Sequence, residues 1–132
     1  MSKNKRLGVR LAQETLLGIE MLKKEFENDE MFSDLRITNG LAVSQAYLET
    51  KDFDNSIWET VIKSDLNKFF DSNIEKLDVV TNLYLEQDVI DGIQMLKGVF
   101  PQLSILKVNY VTTSYVIRQM IKGSLLKRRD VI

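Results

Sequence analysis

The sequence predicts a mainly α-helical fold that contains one short two-stranded antiparallel ribbon. The first observation is an internal repeat, because residues 8–50 align without a gap on residues 82–124. The second is an alternating run at the start of each copy, which is typical of a half-buried strand. The third is a change to three- and four-residue spacing, which indicates amphipathic helices. Two β-α-α repeats and one extra linking helix are therefore predicted.

The repeat also predicts how the chain is organised. The two copies match best at GIEMLK, residues 18–23, and GIQMLK, residues 92–97. Duplicated units usually bury their apolar faces against each other, and two copies favour a closed pair. We expect one pseudo-two-fold domain over residues 1–132. Its parts are a first repeat (1–50), a linking helix (51–74), a second repeat (75–124) and a basic tail (125–132).

A strand opens each repeat. Successive side chains of a strand point to opposite faces, so one set faces the core and the other faces outward. The inward set is Leu7, Val9, Leu11, Thr81, Leu83 and Leu85. The outward set is Arg6, Gly8, Arg10, Val80, Asn82 and Tyr84. A lone strand has an unpaired edge, so we expect the two strands to pair antiparallel.

A first helix follows each strand. Its apolar stripe is Leu16, Ile19, Leu22 and Phe26 in one copy, and Ile90, Ile93, Leu96 and Phe100 in the other. Glu14 and Asp88 lie near the helix starts, where a carboxylate suits the helix dipole. Pro101 marks the end of the second of these helices, because proline cannot continue a helix. The segments 27–37 and 101–111 that follow are ambiguous, since each contains residues that suit a strand.

A second helix is predicted to begin after Thr38 in one copy and after Thr112 in the other, because threonine is a favoured N-cap residue. Between the copies, residues 56–70 carry an amphipathic pattern that is too apolar for a flexible linker. This linking helix is opened by Asp54 or Ser56. Trp58, the only tryptophan of the chain, lies in this helix. We expect its ring to pack in the core, because large aromatic side chains dominate cores.

The formal net charge of −1 hides a segregation of charge along the chain. Residues 1–11 and 92–129 contain no acid, whereas every acid except Asp130 lies between these two segments. Their basic residues are Lys3, Lys5, Arg6, Arg10, Lys97, Lys107, Arg118, Lys122, Lys127, Arg128 and Arg129. Two interpretations stay open. The segments form one positive face if the fold brings them together, or the cations are scattered over the surface for solubility.

The chain has no cysteine and no histidine. Their absence removes disulfides, the usual zinc ligands, and the Ser-His and Cys-His nucleophile systems. We therefore expect no enzyme, no metal and no cofactor. The apolar stretches 7–22 and 111–126 are interrupted by charged residues, so neither is expected to be a secretory signal or a membrane span. A cytoplasmic protein is the default expectation.

The order of these elements resembles a known family. Residues 6–11, the apolar stripe after them and the Thr38-Asn39-Gly40 start of a second helix resemble the ribbon-helix-helix DNA-binding unit of the Arc/MetJ repressor class. In that family two chains pair their strands into a ribbon whose outward side chains read bases in the major groove. With both units on one chain, the sequence is similar to tandem ribbon-helix-helix proteins of conjugative plasmids. The stretch 11–38 is several residues longer than the family pattern, and a strand within it would exclude the family.

The resemblance implies that double-stranded DNA is the partner. It also implies a transcriptional regulator, such as a repressor, or an accessory factor in plasmid transfer or replication. The base-reading residues would be Arg6, Gly8, Arg10, Val80, Asn82 and Tyr84. Arginine suits guanine, asparagine suits adenine, and valine can contact a thymine methyl group. Because the two strands differ chemically, we expect unlike half-sites.

The resemblance also implies phosphate contacts at the starts of the second helices and at the basic termini. The residues concerned are Lys3, Lys5, Thr38, Asn39, Gly40, Thr112, Thr113, Ser114, Lys127, Arg128 and Arg129. Plain helix capping is the alternative interpretation for the helix starts. A solvated terminus is the alternative for the lysines and arginines.

A protein-interaction module, antitoxin-like or an assembly protein, is the alternative function. An exposed apolar patch on the linking helix would favour it, and the same helix 56–70 could provide a surface for self-association. The patch residues would be Ile57, Trp58, Val61 and Phe69. An enzyme is the least favoured class, because placement at helix N-termini explains the recurring acids Glu14 and Asp88.

Overall fold

A computed structural model describes residues 4–65 and 78–132 of the chain. In this part of the protein, five α-helices accompany one two-stranded antiparallel sheet. The elements are β1 (Lys5–Ala12), α1 (Gln13–Glu27), α2 (Asn39–Thr50), α3 (Asn55–Lys63), β2 (Asp78–Leu85), α4 (Gln87–Val99) and α5 (Thr113–Arg128). The prediction of a mainly helical protein with a short antiparallel ribbon is confirmed.

The strands β1 and β2 pair so that equivalent residues of the two repeats lie opposite each other at the centre of the ribbon. Lys5 lies opposite Leu85, and Ala12 lies opposite Asp78. Gly8 lies opposite Asn82, and these are the two residues that the internal alignment matches with each other. The two strands therefore pair about a common centre near the middle of the ribbon.

The inner face of the ribbon covers one side of the hydrophobic core. Its fully buried residues are Leu11, Leu83 and Leu85, and Val9 is 8% exposed. The predicted alternation is confirmed, since the outward residues of both strands are exposed. Helices α2 and α5 pack against each other and cross under the ribbon, α2 against β2 and α5 against β1. Each strand therefore rests on the helix from the other half of the chain.

The segments 27–37 and 101–111 contain no strand. The first contains a short 3-10 turn, Glu30–Phe32, and the second opens on the 3-10 turn Phe100–Gln102. The Phe32 ring of the first turn packs on Phe26 with ring centroids 5.2 Å apart. The extra length between the first strand and Thr38 is therefore taken up by α1 and by a packed turn.

The linking helix α3 is shorter in the described chain than the predicted 56–70, and residues 66–70 lie outside the described part. Asp54 caps it, because its Oδ1 accepts a hydrogen bond from the Ile57 N–H at 2.9 Å. Trp58 is 2% exposed and packs edge-on against Phe53 and Phe100 at 5.1 and 5.0 Å. The core position predicted for the tryptophan is confirmed.

The apolar patch predicted on this helix is not present in its described part. Trp58 and Val61 lie in the core, and Ile57 packs partly against it. Phe69, the remaining patch residue, lies outside the described residues. The apolar face of α3 is covered from within the chain, so the described part of the helix gives no support to self-association through it.

Helix α5 extends into the segment that the sequence assigned to a basic tail. It runs to Arg128, and Leu125 and Leu126 are buried. The apolar stripe of the helix continues through these two leucines, so their burial holds the last turn against the body of the protein. Residues 125–128, which the sequence analysis assigned to the basic tail, are therefore part of α5.

Candidate nucleic-acid interface

The outward face of the ribbon presents three cross-strand pairs of exposed side chains. Arg6 lies opposite Tyr84, Gly8 opposite Asn82, and Arg10 opposite Val80. Tyr84 is 56% exposed and Val80 is 67% exposed, although both are large apolar residues. The structure thus brings all six predicted base-reading residues together on one surface, which we call the ribbon face.

The two arginines of the ribbon face differ from the arginines of α5 in their partners. Arg118, Arg128 and Arg129 form ion pairs with Glu14, Glu49 and Glu25. No ion pair of Arg6 or Arg10 exists within the described residues. Within the described residues, no carboxylate accepts from their guanidinium groups, which are donors only.

Each end of the ribbon face meets the N-terminus of a long helix. Gly40 of α2 is buried against β2, where an added Cβ would lie 2.5 Å from the Tyr84 carbonyl oxygen. Ser114 of α5 donates its hydroxyl hydrogen bond to the Arg10 carbonyl oxygen. Tyr84 and Arg10 are matched residues of the repeat, as are Gly40 and Ser114. The two contacts are therefore equivalent in position and different in chemistry.

Both predicted threonine caps are confirmed. The Thr38 hydroxyl accepts a hydrogen bond from the Leu41 N–H, and the Thr112 hydroxyl accepts one from the Tyr115 N–H, each at 3.1 Å. The capping interpretation therefore accounts for both hydroxyls. Any phosphate at these sites would be held by the first-turn N–H groups that the threonine caps do not already occupy.

The remaining residues at these helix starts are half-buried. Thr113 begins α5, and Asn39 begins α2. The Oδ1 atom of Asn39 is buried without a hydrogen-bond partner in the described residues. This carboxamide oxygen is an acceptor only, so it cannot itself bind a phosphate oxygen. The phosphate role of both residues stays a prediction.

A polar cleft of about 400 Å³ lies at the end of the ribbon face that carries Arg10. Arg10, Thr112, Ser114 and Arg118 line it together with the carboxylate of Asp78. The matched end has no second arginine, because Ser44 occupies the position that matches Arg118. Arg118 is not among the site residues predicted from the sequence. Its neighbourhood depends on a contact between residues more than 100 positions apart, and the sequence carries no local signal for it.

The basic residues at the end of α5 lie far from the ribbon face. At 1.5 Å per residue, Lys127 is about 20 Å along the helix from Ser114. Arg128 forms a two-pronged pair with Glu49 at 2.9 and 2.7 Å, and its guanidinium lies 4.5 Å from the Phe26 ring centroid. Lys127 donates to the Glu49 carbonyl oxygen at 2.9 Å. These contacts tie α5 to α2 and give no support to a phosphate role.

The predicted basic N-terminus is described only in part. Lys5 is exposed at the start of β1, on the edge of the ribbon face, whereas Lys3 lies outside the described residues. The positive charge at the ribbon therefore comes from Lys5, Arg6 and Arg10 of one strand. Of the second basic segment, 92–129, Arg118 lies in the cleft beside Arg10 but pairs with Glu14. Arg128 and Arg129 pair with Glu49 and Glu25.

Lys122 is buried instead of contributing to a positive surface. It is 2% exposed, and its Nζ donates to the Ile62 and Ser64 carbonyl oxygens at 3.2 and 2.7 Å. These oxygens belong to the end of α3, so the cation caps that helix. Burial, aided by the nearby charge of Arg118, lowers the pKa of Lys122 from 10.5 to about 8.

A second cleft, of about 480 Å³, borders the first and is mainly apolar. Leu106, Val108, Tyr110 and Tyr115 line it, and Tyr110 is 75% exposed. Burial raises the pKa of the Tyr115 phenol, which keeps the hydroxyl neutral at ordinary pH. The cleft could not be predicted from the sequence, because the pattern of segment 101–111 is ambiguous.

The chain matches no protein-family model, no curated protein and no solved structure. None of the helices within residues 4–65 and 78–132 has both the length and the apolar character needed to cross a membrane. Over the same residues, no three acidic side chains are grouped closely enough to hold a metal ion.

Proposed function

We propose that this protein binds double-stranded DNA in a sequence-specific manner by inserting its two-stranded ribbon into the major groove. The observation that carries the proposal is the ribbon face, where two arginines that form no ion pair within residues 4–65 and 78–132 flank an exposed asparagine. In the cell, such binding would serve a transcriptional regulator or an accessory factor at a plasmid transfer or replication origin.

The dimensions of the ribbon suit the groove. Two paired strands are about 4.8 Å apart, and the major groove is about 12 Å wide, so it admits a two-stranded ribbon with its side chains. One face of the ribbon is fixed to the core through Leu11, Leu83 and Leu85. The exposed face can therefore approach base edges without any loss of core packing.

The pairing of matched positions supports two ribbon-helix-helix units on one chain. Gly8 faces Asn82, and Gly40 and Ser114 contact the matched residues Tyr84 and Arg10. A helix N-terminus at each end of the ribbon can hold a phosphate on either side of the groove. The 3-10 turns account for the extra length between the first and second helices of each unit.

A protein-interaction module is the second candidate. The apolar cleft lined by Val108 and Tyr110 favours it, because exposed apolar side chains around a cleft are typical of protein contacts. The two candidates make opposite predictions for DNA, so one experiment separates them.

The test is fluorescence anisotropy of labelled duplexes over a salt series. A library of duplexes with randomised cores is first enriched on the protein, and the enriched pool is compared with the starting pool. The double variant Arg6→Ala/Arg10→Ala should lose the preference for the enriched pool. The matched control Lys24→Ala/Lys63→Ala removes the same charge from exposed positions of α1 and α3 and should keep the preference.

Tighter binding to the enriched pool, weakening steeply with salt, is the expected result, because phosphate contacts release counterions. Absence of binding at low salt would remove the ribbon as a DNA-binding surface. A protein partner would then become the leading explanation of the ribbon face and the apolar cleft.

A further inference from the structure

The register of the ribbon distributes its polar side chains in an order that the sequence alone does not give. Both arginines belong to β1, yet the antiparallel pairing places Arg6 beside Tyr84 at one end and Arg10 beside Val80 at the other. Asn82 lies between them, opposite Gly8. Each end of the ribbon face therefore has one arginine and one large apolar residue, and the middle has one carboxamide.

The spacing of these groups can be compared with the spacing of base pairs. Arg10 is four positions after Arg6 in the strand, which corresponds to about 13 Å at 3.3 Å per residue. Stacked base pairs rise by about 3.4 Å. The two arginines are thus about four base-pair steps apart, and the pair of Gly8 and Asn82 lies about two steps from each.

The chemistry of each group selects a base. The planar fork of arginine matches the O6 and N7 acceptors of guanine, and the asparagine carboxamide matches N6 and N7 of adenine. Asn82 is exposed, and its Oδ1 lies beside Gly8, at the distance of an ordinary van der Waals contact (3.5 Å) from where a Cβ would stand. Val80 and Tyr84 offer apolar contact to the thymine methyl group beside each guanine.

We infer that the DNA target contains two guanines about four base pairs apart with an adenine between them, the guanines being read by Arg6 and Arg10 and the adenine by Asn82. This inference rests on the proposed function. The sequence alone predicts two unlike half-sites, one read by each strand, whereas the register of the ribbon predicts a guanine at both ends of the target. Both ends of the target carry a guanine, because both arginines come from one strand that spans the ribbon.

The test is selection and sequencing of bound duplexes with the full chain and with single variants at the ribbon face. The wild type should enrich two guanines about three to five base pairs apart, the range allowing for the reach of the arginine side chain. Arg6→Ala should remove the preference at one guanine and Arg10→Ala at the other. Asn82→Ala should remove the preference at the adenine between them.

Each loss of preference should be about 5- to 150-fold at its own position, which corresponds to one bidentate contact. Arg6→Lys and Arg10→Lys keep the charge and should weaken the same preferences less than alanine does, with little change in salt dependence, since lysine can still donate to guanine but has no planar fork. Lys24→Ala is the matched control and should leave the selected motif unchanged. All substituted ribbon positions are exposed, so thermal unfolding should match the wild type.

Different failures have different meanings. A selected motif without paired guanines, or one in which Arg6→Ala and Arg10→Ala alter the same position, would overturn the inference and leave DNA binding in place. No enrichment of any duplex by the wild type would overturn both the inference and the proposed function.

Discussion

The two halves of the chain are alike where they meet the ribbon and different farther along their second helices. At the ribbon, Thr38 and Thr112 cap their helices with hydrogen bonds of equal length. Ten residues after these caps, Leu48 of α2 is 51% exposed, whereas Lys122 at the matched position of α5 is 2% exposed. The apolar residue faces solvent and the charged residue is buried.

The cause of this inversion is the linking helix. Helix α3 packs against α5, and its last carbonyl groups accept hydrogen bonds from Lys122. In the first half, Leu48 is left exposed. The comparison teaches that matched sequence positions share an environment only where the repeat builds it, and that an element present once makes the two halves different.

The largest expected effect concerns the two contacts between helix starts and strands. Gly40→Ala should destabilise the protein by about 1–3 kcal/mol, because the new Cβ would meet the Tyr84 carbonyl in a well-packed place. Ser114→Ala at the matched position loses only one exposed hydrogen bond and should cost about 0.5–1.5 kcal/mol. Urea unfolding of the two variants measures the difference, and equal losses would contradict the proposed asymmetry of the contacts.

The second prediction concerns the pH dependence of stability. Below about pH 8 the folded and unfolded chains both carry a protonated Lys122, so the cost of burying the cation is present in full. Above pH 8 the folded chain loses this proton first. The free energy of unfolding should therefore rise between about pH 8 and pH 10.5, by at most roughly 3 kcal/mol.

The measurement is urea unfolding of the wild type and of Lys122→Met across that range, compared as a difference. Tyr115, whose raised pKa lowers stability above pH 10, is present in both and cancels. Leu48→Lys places a lysine at the matched exposed position and should add no pH dependence between pH 8 and pH 10. A Lys122→Met curve parallel to that of the wild type would show that Lys122 titrates normally.

The third prediction concerns the two N-caps, where the halves of the chain are alike. Thr38→Ala and Thr112→Ala should each cost about 1 kcal/mol, because each removes one N-cap hydrogen bond. The two losses should be additive within a few tenths of a kcal/mol if the caps are independent. Thermal or urea unfolding of the single and double variants provides the check. A cost confined to one cap would break the similarity of the halves at the ribbon.

The smallest expected effect is on DNA affinity at the far end of α5. Lys127→Ala should leave both the affinity and its salt dependence nearly unchanged, since Lys127 is about 20 Å along α5 from Ser114 and contacts Glu49. Lys5→Ala at the ribbon edge should weaken all duplexes alike and reduce the salt slope by about 1. Equal effects of the two variants would restore the phosphate role that the sequence assigned to the end of α5.

The features that could be predicted from the sequence are those fixed by local pattern. The alternation of apolar residues with arginine and glycine over residues 6–11 predicts which side chains face outward. Thr38 and Thr112 predict the starts of the second helices, because threonine is a favoured N-cap residue. The position of Trp58 in the core follows from its place on an amphipathic helix. These properties depend on residues close together in the chain, so a pattern of a few residues is sufficient.

The features that could not be predicted depend on contacts between distant segments. The pairs of Glu14 with Arg118 and Glu49 with Arg128 cancel a segregation of charge that is real along the chain. Lys122 carries a charged side chain of the kind usually found at the surface, yet it is buried. The order of the side chains on the ribbon face follows from the register, which pairs residues about 70 to 80 positions apart.

The most direct test of the account is the change in backbone amide chemical shifts when an enriched duplex is added to the isotope-labelled protein. The account predicts the largest changes at residues 5–11 and 79–85 and at the starts of α2 and α5, with small changes at the end of α5. Changes centred on α3 or on residues 106–111, with the ribbon unaffected, would contradict it.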